Sequence, residues 1–377
     1  MMNAAGGKLS CWHLDEVLHV MAESVVSNSM SAAAPAAVTT TAGMAWLAPY
    51  GAPTAEYEAG RQAVALLDRA EMAALRLSGA TRVDFIQRQT TNDVKALRPG
   101  QAAITVLTNP QARILDTLTV LARPDDFIIL NGPPLRERLV RHLRGLIFFM
   151  DQVTVTDLNP ETHQLELLGP QAAACLAEVS DQPSIAGLAR FQWCELSLAG
   201  HPVTVVRLPG PGADAWRILA PAAGWTAVWA ALVAAAAQPI GSEAYDLLRV
   251  EAGLPAPGVE MTDAVTPLEA GLLAYISQNK GCYTGQEIIA RQLTYDKVTR
   301  HLRGLILEQA APPGASVEAD GRTIGSISSS IYSPALARPI ALAFVKRDYA
   351  TAGSVVTVRS GDETVEARVV DLPFTRP

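Results

Sequence analysis

The stretch Lys280-Gly-Cys-Tyr-Thr-Gly-Gln-Glu287 places an ammonium, a thiol and a carboxylate within eight residues, and it runs on into Ile288-Ile-Ala-Arg291. Thr284-Gly-Gln-Glu287 fits the capping box, in which a Thr hydroxyl and a Glu carboxylate satisfy the orphan N–H groups of a helix start. The spacing predicts a loop through Lys280–Tyr283 and a helix from Gly285 onward. Cys282 is then expected two residues ahead of the N-cap, near the positive end of the helix dipole and two residues from Lys280. Both influences favour thiolate over thiol. Lys280 is expected to add a donor for an anionic group at the same helix mouth. The chemistry is that of a reactive thiol, with Cys282 and Lys280 as candidate catalytic residues. Tyr283, Gln286 and Glu287 are candidate binding residues beside them. The competing reading is ordinary: a lone Cys is most often a small buried hydrophobe, and reactivity needs exposure as well as charge.

The elements that must position this stretch alternate between strand and helix without a run of βαβ units, which predicts an α+β fold. Helices are expected over Glu56–Asp68, from Val83 to Gln89 and over Pro134–Gly145. Ile104–Leu107 and Ile114–Leu121 flank a hairpin turn at Thr108–Gln111, and Phe127–Leu130 is a further strand. Arg136, Arg138, Arg141 and Arg144 do not share one helix face, which predicts a solvated surface rather than a nucleic-acid groove. Leu75-Arg-Leu-Ser-Gly-Ala80 is echoed 90 residues later by Leu165-Glu-Leu-Leu-Gly-Pro170. Each is a strand, a Gly turn and a helix, so two related half-domains with a ligand cleft between them are expected. Chance similarity is the alternative. Tyr245–Val250 reads as helix, stopped by Gly253 and Pro255. Pro267–Leu272 begins a short helix that hands over to the Lys280 loop. Beyond Arg300, short strands punctuated by Gly and Pro predict a small β-barrel.

The chain of 377 residues suffices for two or three domains, and its 49% hydrophobic and 18% charged content is that of a globular protein. A net charge of −7 argues against non-specific nucleic-acid binding. Cys11, Cys175, Cys194 and Cys282 are widely separated, which excludes a zinc-finger pattern and a standing iron–sulfur site; no metal site is expected. A reducing cytoplasm is the expected compartment. Ile218–Ala237 is nearly long enough to span a membrane, but Pro221 and Gly224 split it into a strand and an Ala-rich helix, so no span is expected. Residues 1–43 are Ala/Ser/Thr-rich and lack a clean apolar core for a signal peptide. They predict a weakly ordered extension, with a short amphipathic helix through Leu14, Val17, Leu18, Met21 and Val25, and Met30 or Met44 as alternative initiators.

The eight-residue motif resembles the K-G-C-Y-x-G-Q-E signature of the YgfZ family, folate-binding relatives of the glycine-cleavage T-protein (aminomethyltransferase). Gly79–Val94, Leu248–Pro255, Pro267–Leu272, Gly325–Ser330, Tyr332-Ser-Pro334, Ile340–Ala343 and Leu372-Pro-Phe374 resemble further family blocks in the family order. The resemblance covers about residues 44–374. It implies a folate-binding domain over 44–300, built of two ferredoxin-like halves (about 44–160 and 161–300), and a C-terminal barrel over 301–377. It also implies tetrahydrofolate or a one-carbon derivative as cofactor, iron–sulfur client or assembly proteins as partners, and a link to tRNA modification without direct nucleic-acid contact.

By the same resemblance Asp116 falls where T-proteins carry their functional Asp, the alternative being a hydrated strand-end aspartate. Arg249 and Glu251 are candidate cleft residues, although an i, i+2 pair diverges on a helix. Where T-proteins meet the pterin with a carboxylate, Gly210–Ile218 carries Arg217, and Arg cannot accept a hydrogen bond. Three functions are therefore weighed: a maturation factor working through Cys282, an aminomethyltransferase or demethylase working through Asp116, and a non-catalytic folate-binding module.

Overall fold

The computed structural model describes residues 38–41, 44–47, 49–136, 138–212 and 214–375. The amphipathic run and most of the extension expected at the N-terminus lie outside the described residues. Two antiparallel strands, Val38–Thr41 and Met44–Leu47, come first.

Five antiparallel strands form one sheet, in the order Ala102–Thr108, Ile114–Ala122, Asp126–Asn131, Ala73–Ser78 and Thr154–Asp157. Six strands form the second, in the order Trp193–Leu198, His201–Pro209, Asp214–Pro221, Thr162–Leu168, Ala65–Asp68 and Gln238–Pro239, with only the last pair parallel. The 90-residue echo is thus a structural repeat: Ala73–Ser78 and Thr162–Leu168 hold equivalent places. Each runs through a glycine into a helix, Arg82–Gln89 or Ala172–Val179. Gly79 and Gly169 take φ of 108° and 99°, and a Cβ there would lie 2.1 Å from the Gln152 carbonyl oxygen or 2.6 Å from that of Ala63. Only glycine combines that conformation with that approach.

One strand breaks the symmetry. Ala65–Asp68, from early in the chain, is inserted between Thr162–Leu168 and Gln238–Pro239. The helix expected over Glu56–Asp68 accordingly spans Pro53–Gln62 and gives way to this strand. All four strand residues are buried. A short apolar run buried on both faces has no alternation to distinguish it from a helix segment.

Strand alternation assigns the faces. Phe127 and Ile129 pack against helices Arg82–Gln89 and Leu139–Gly145, through Phe85, Ile86, Leu139 and Leu143. Their neighbours Ile128 and Leu130 face the other sheet at Val206, Leu208 and Leu219. The outer face of the second sheet is covered by Ala172–Val179 and Trp225–Ala234, through Leu176, Val228, Trp229 and Leu232. The two sheets therefore lie face to face between helices. Among the described residues no helix is long and apolar enough to cross a membrane.

The C-terminal strands close a six-stranded barrel, in the order Arg300–Leu307, Arg338–Lys346, Arg322–Ser333, Ser316–Ala319, Val355–Ser360 and Glu363–Val370. Leu302, Leu342 and Phe344 pack against Val106, Ile114, Val250 and Leu272, so the barrel buries the ends of the first hairpin and of helix Ser242–Glu251.

Candidate functional site

The Cys282 loop is held from a distance in sequence. Helix Arg82–Gln89 ends and the chain turns back, leaving the carbonyls of Gln87, Thr90 and Asn92 aimed at one point. The Lys280 ammonium occupies that point and donates to all three, at 2.6, 2.7 and 2.6 Å. An ammonium has three N–H groups, and these contacts use them all. Burial draws the Lys280 pKa down to about 8, with the Asp93 carboxylate opposing the shift. Lys280 thereby serves as a tie for the loop, with no donor left over for an anion or for the Cys282 sulfur.

Tyr283 is the second anchor. Its ring packs with Ala112, Ile276 and Ile289, lies 5.2 Å from the Lys280 nitrogen, and burial pushes its phenol up to about 12. Between these buried anchors Cys282 stands exposed and outside any disulfide. Gln286, with Tyr283, lines a small cavity of about 140 Å³, and Glu287 is exposed and pairs with Arg291 at 2.9 Å.

The expected capping box does not form. The helix is Gln286–Thr294, its N-cap is Gly285 with φ 83°, and no side chain caps it. Thr284 turns inward instead: its N–H donates to the Arg88 carbonyl at 3.0 Å, and its own carbonyl accepts from the Thr108 hydroxyl at 2.7 Å. A Cβ on Gly285 would lie 3.0 Å from Ala112 Cα, Asn109 O and Thr108 Oγ1. The loop is pressed onto the hairpin turn, and that close contact, rather than capping chemistry, requires glycine at position 285.

Arg88 extends this surface. Its guanidinium pairs with Asp151 and lies over the rings of Phe85 and Phe148, at 5.2 and 5.9 Å. Asp151 also accepts the Phe148 N–H at 2.8 Å. Phe148, Phe149 and Met150 are thereby held outward, 65%, 97% and 74% exposed. The sequence reading passed over them; its available signal was three large apolar residues in a row between Ile147 and Asp151.

The same hairpin leads to a larger cavity of about 550 Å³, to which both sheets and the barrel contribute. Ile104, Leu130, Leu208, Met261 and Leu272 give it apolar walls, and Arg69, Arg217 and Tyr245 polar ones. Its size suits a small-molecule ligand. Cys282 is not among its lining residues. Asp116 lies behind the wall formed by Thr117, Asn131 and Gly132, and it is buried within strand Ile114–Ala122 rather than hydrated at a strand end. Its carboxylate accepts from Thr117 N–H at 2.7 Å, from Asn131 Nδ2 at 3.3 Å and from Gly132 N–H at 3.3 Å. Burial nevertheless raises its pKa to about 7, against those hydrogen bonds.

Arg249 and Glu251 diverge, as their spacing requires. Arg249 is enclosed by Asp246, Glu260 at 3.3 Å and Ser329 at 2.9 Å. Glu251 accepts from Tyr57, Arg61 and Ser333. Both join helix Ser242–Glu251 to its neighbours, and neither lines the larger cavity. Of the charged cluster that does reach it, sequence reasoning singled out Arg217 alone. Glu166, fully buried, lies 2.8 Å from Arg217 and 3.6 Å from Arg69, which also pairs with Glu71 at 2.9 Å. Burial alone would raise the Glu166 carboxyl, but the two guanidiniums hold it below its ordinary value. Among the described residues no three His, Cys, Asp or Glu are grouped to hold a metal ion.

Comparison with known proteins matches this architecture. Residues 29–280 match the GCVT N-terminal domain, and residues 300–375 match the glycine cleavage T-protein C-terminal barrel domain. A chloroplastic protein of Arabidopsis thaliana, named as a transferase, is 31% identical over 315 residues, spanning 82% of this chain and 71% of its own. An aminomethyltransferase of Picosynechococcus is 32% identical over 330 residues, spanning 85% and 89%. The crystal structure of the glycine cleavage system aminomethyltransferase T from Bartonella henselae superposes with a TM-score of 0.82 at 25% identity, over 90% of this chain and 94% of that one. With two stacked sheets, a closed terminal barrel and a cavity where they meet, this chain belongs to the glycine cleavage T-protein family.

Proposed function

We propose that this protein is a folate-binding, YgfZ-like factor that supports the assembly or repair of iron–sulfur proteins through Cys282. The observation that carries this reading is the exposure of Cys282 between two buried anchors, outside the cavity. A thiol placed there is reachable by a macromolecule and out of reach of a reaction confined to the cavity wall. The outward Phe148–Met150 tip, ordered by the same Arg88 whose carbonyl holds Thr284, supports a protein client, because exposed apolar patches mark docking surfaces.

The cavity residues fit a reduced folate. The volume and apolar walls suit the pteridine ring, and the partly exposed Arg217 side chain, anchored by Glu166, reaches the cavity as a donor. Ile104, Leu130 and Leu272 would exclude water from the ring, while Arg69 and Arg217 would orient it. Bound there, the folate supplies a carrier for a one-carbon unit. Lys280 and Tyr283 hold the thiol loop in place. The test is complementation: in a deletion strain, Cys282→Ala should fail to restore iron–sulfur enzyme activity although the protein accumulates. Full restoration would remove the reading.

Aminomethyltransferase activity is the second reading. It is favoured by the aminomethyltransferase relatives and by Asp116, a carboxyl with a pKa near 7 one residue behind the cavity wall. Turnover of an aminomethylated carrier protein with tetrahydrofolate, abolished in Asp116→Asn and intact in Cys282→Ala, would establish it in place of the first.

A further inference from the structure

We infer that Arg217, supported by Arg69, reads the 4-oxo edge of the pterin, so that the cavity selects its ligand by an acceptor rather than by the amino edge. This rests on the folate reading above. Glu166 and Arg217 are cross-strand partners on Thr162–Leu168 and Asp214–Pro221, and the carboxylate anchors the guanidinium at 2.8 Å. Arg69, just past Ala65–Asp68, reaches the same carboxylate from the other side at 3.6 Å.

A guanidinium carries five N–H donors. Arg217 gives one hydrogen bond to Glu166, and its side chain stays 15% exposed where both arginines line the cavity. Among the described lining residues the one carboxylate is Asp371, whose side chain is 73% exposed. At Arg69 and Arg217 the wall therefore offers donors and no carboxylate.

A pterin has two unlike polar edges: the 2-amino and N3–H groups donate, and the 4-oxo group accepts. Set against Arg217, the donor edge would bury donors against donors, at the cost of leaving them unpaired. The 4-oxo edge is complementary, as the O6 edge of guanine is to an arginine. Charge selects a neutral acceptor over an anion. Arg69 and Arg217 are already matched by Glu71 and Glu166, and a further carboxylate would put an unbalanced charge against a buried wall.

The test compares tetrahydrofolate with tetrahydroaminopterin, which carries a 4-amino group in place of the 4-oxo group, by calorimetric titration of the full chain. The wild type should bind tetrahydrofolate at least tenfold more tightly. Arg217→Met should lose that preference, and the double variant Arg217→Met/Glu166→Gln, which leaves no buried charge unpaired, keeps the comparison open if the single variant does not fold. Equal binding of the two ligands by the wild type, or a preference that survives in the double variant, overturns the inference and leaves the folate reading standing. No binding of either ligand to the wild type overturns both.

Discussion

The Nζ of Lys280 lies 2.7 Å from the carbonyl oxygen of Thr90, a hydrogen bond spanning 190 residues of sequence. With Gln87 and Asn92 it makes a three-carbonyl seat for one ammonium. This contact sets where Cys282 stands, because the loop between Lys280 and Tyr283 has no regular structure of its own.

Lys280→Met should therefore destabilise the protein by about 3 kcal/mol, since three carbonyls lose a charged donor and buried Thr90 cannot turn to water. Lys280→Arg should not restore the loss, because a planar fork does not fit three converging acceptors. Urea denaturation of both variants checks this, and an arginine variant as stable as wild type would sink it.

Gly285→Ala should cost about 2 kcal/mol. The left-handed φ strains any Cβ, and the contacts at 3.0 Å are with backbone atoms of Asn109 and Ala112 as well as the Thr108 side chain. Because the loop must lift from the hairpin to relieve the contact, alkylation of Cys282 should change in rate alongside the fall in melting temperature. A lower melting temperature with an unchanged rate would separate the loop from the hairpin.

Asp116 carries a pH signature. Its pKa is about 7 in the fold against an ordinary 3.8, so between those values the native protein holds a proton that the unfolded chain has released. Stability should fall as pH rises through that window and level off above it. The full span is about 4 kcal/mol at most. Asp116→Asn should flatten the dependence, as read from urea midpoints between pH 4.5 and 8. Parallel curves for variant and wild type would place the titration elsewhere.

How far these features could be read beforehand depended on their range in sequence. The repeat was legible because strand, glycine and helix are local, and Gly79 and Gly169 share the same steric demand. The barrel was legible through closely spaced turns. Ala65–Asp68 was not, since its partner strand lies nearly a hundred residues on and its burial on both faces erases alternation. Thr284 shows the limit most clearly. Its spacing to Glu287 is that of a capping box, yet the Thr108–Ala112 turn claims the loop first. Arg217 was noticed as a departure from a carboxylate, but Glu166, its cross-strand partner, could be named only from the register.

Arg249 separates a structural charge from a ligand-binding one. Enclosed by Asp246, Glu260 and Ser329, it ties helix Ser242–Glu251 to the barrel strand Arg322–Ser333. Arg249→Met should cost about 3–5 kcal/mol by leaving buried Glu260 without its cation. Where the variant still folds, tetrahydrofolate affinity should change less than threefold. A stable variant with tenfold weaker binding would move Arg249 into the ligand site.

The thiols should separate by access. Cys175 is buried, with its thiol pushed up to about 11 by burial and by Glu178, and burial also raises that of Cys194. Neither offers much thiolate at neutral pH, whereas Cys282 is exposed. Native-state alkylation followed by peptide mapping should label Cys282 well before Cys175 and Cys194. Cys282→Ala should leave stability within about 0.5 kcal/mol of wild type, as an exposed side chain requires. A large loss of stability in Cys282→Ala would mean that the sulfur is a structural element of the loop, and an activity defect in that variant would then say nothing about its chemistry.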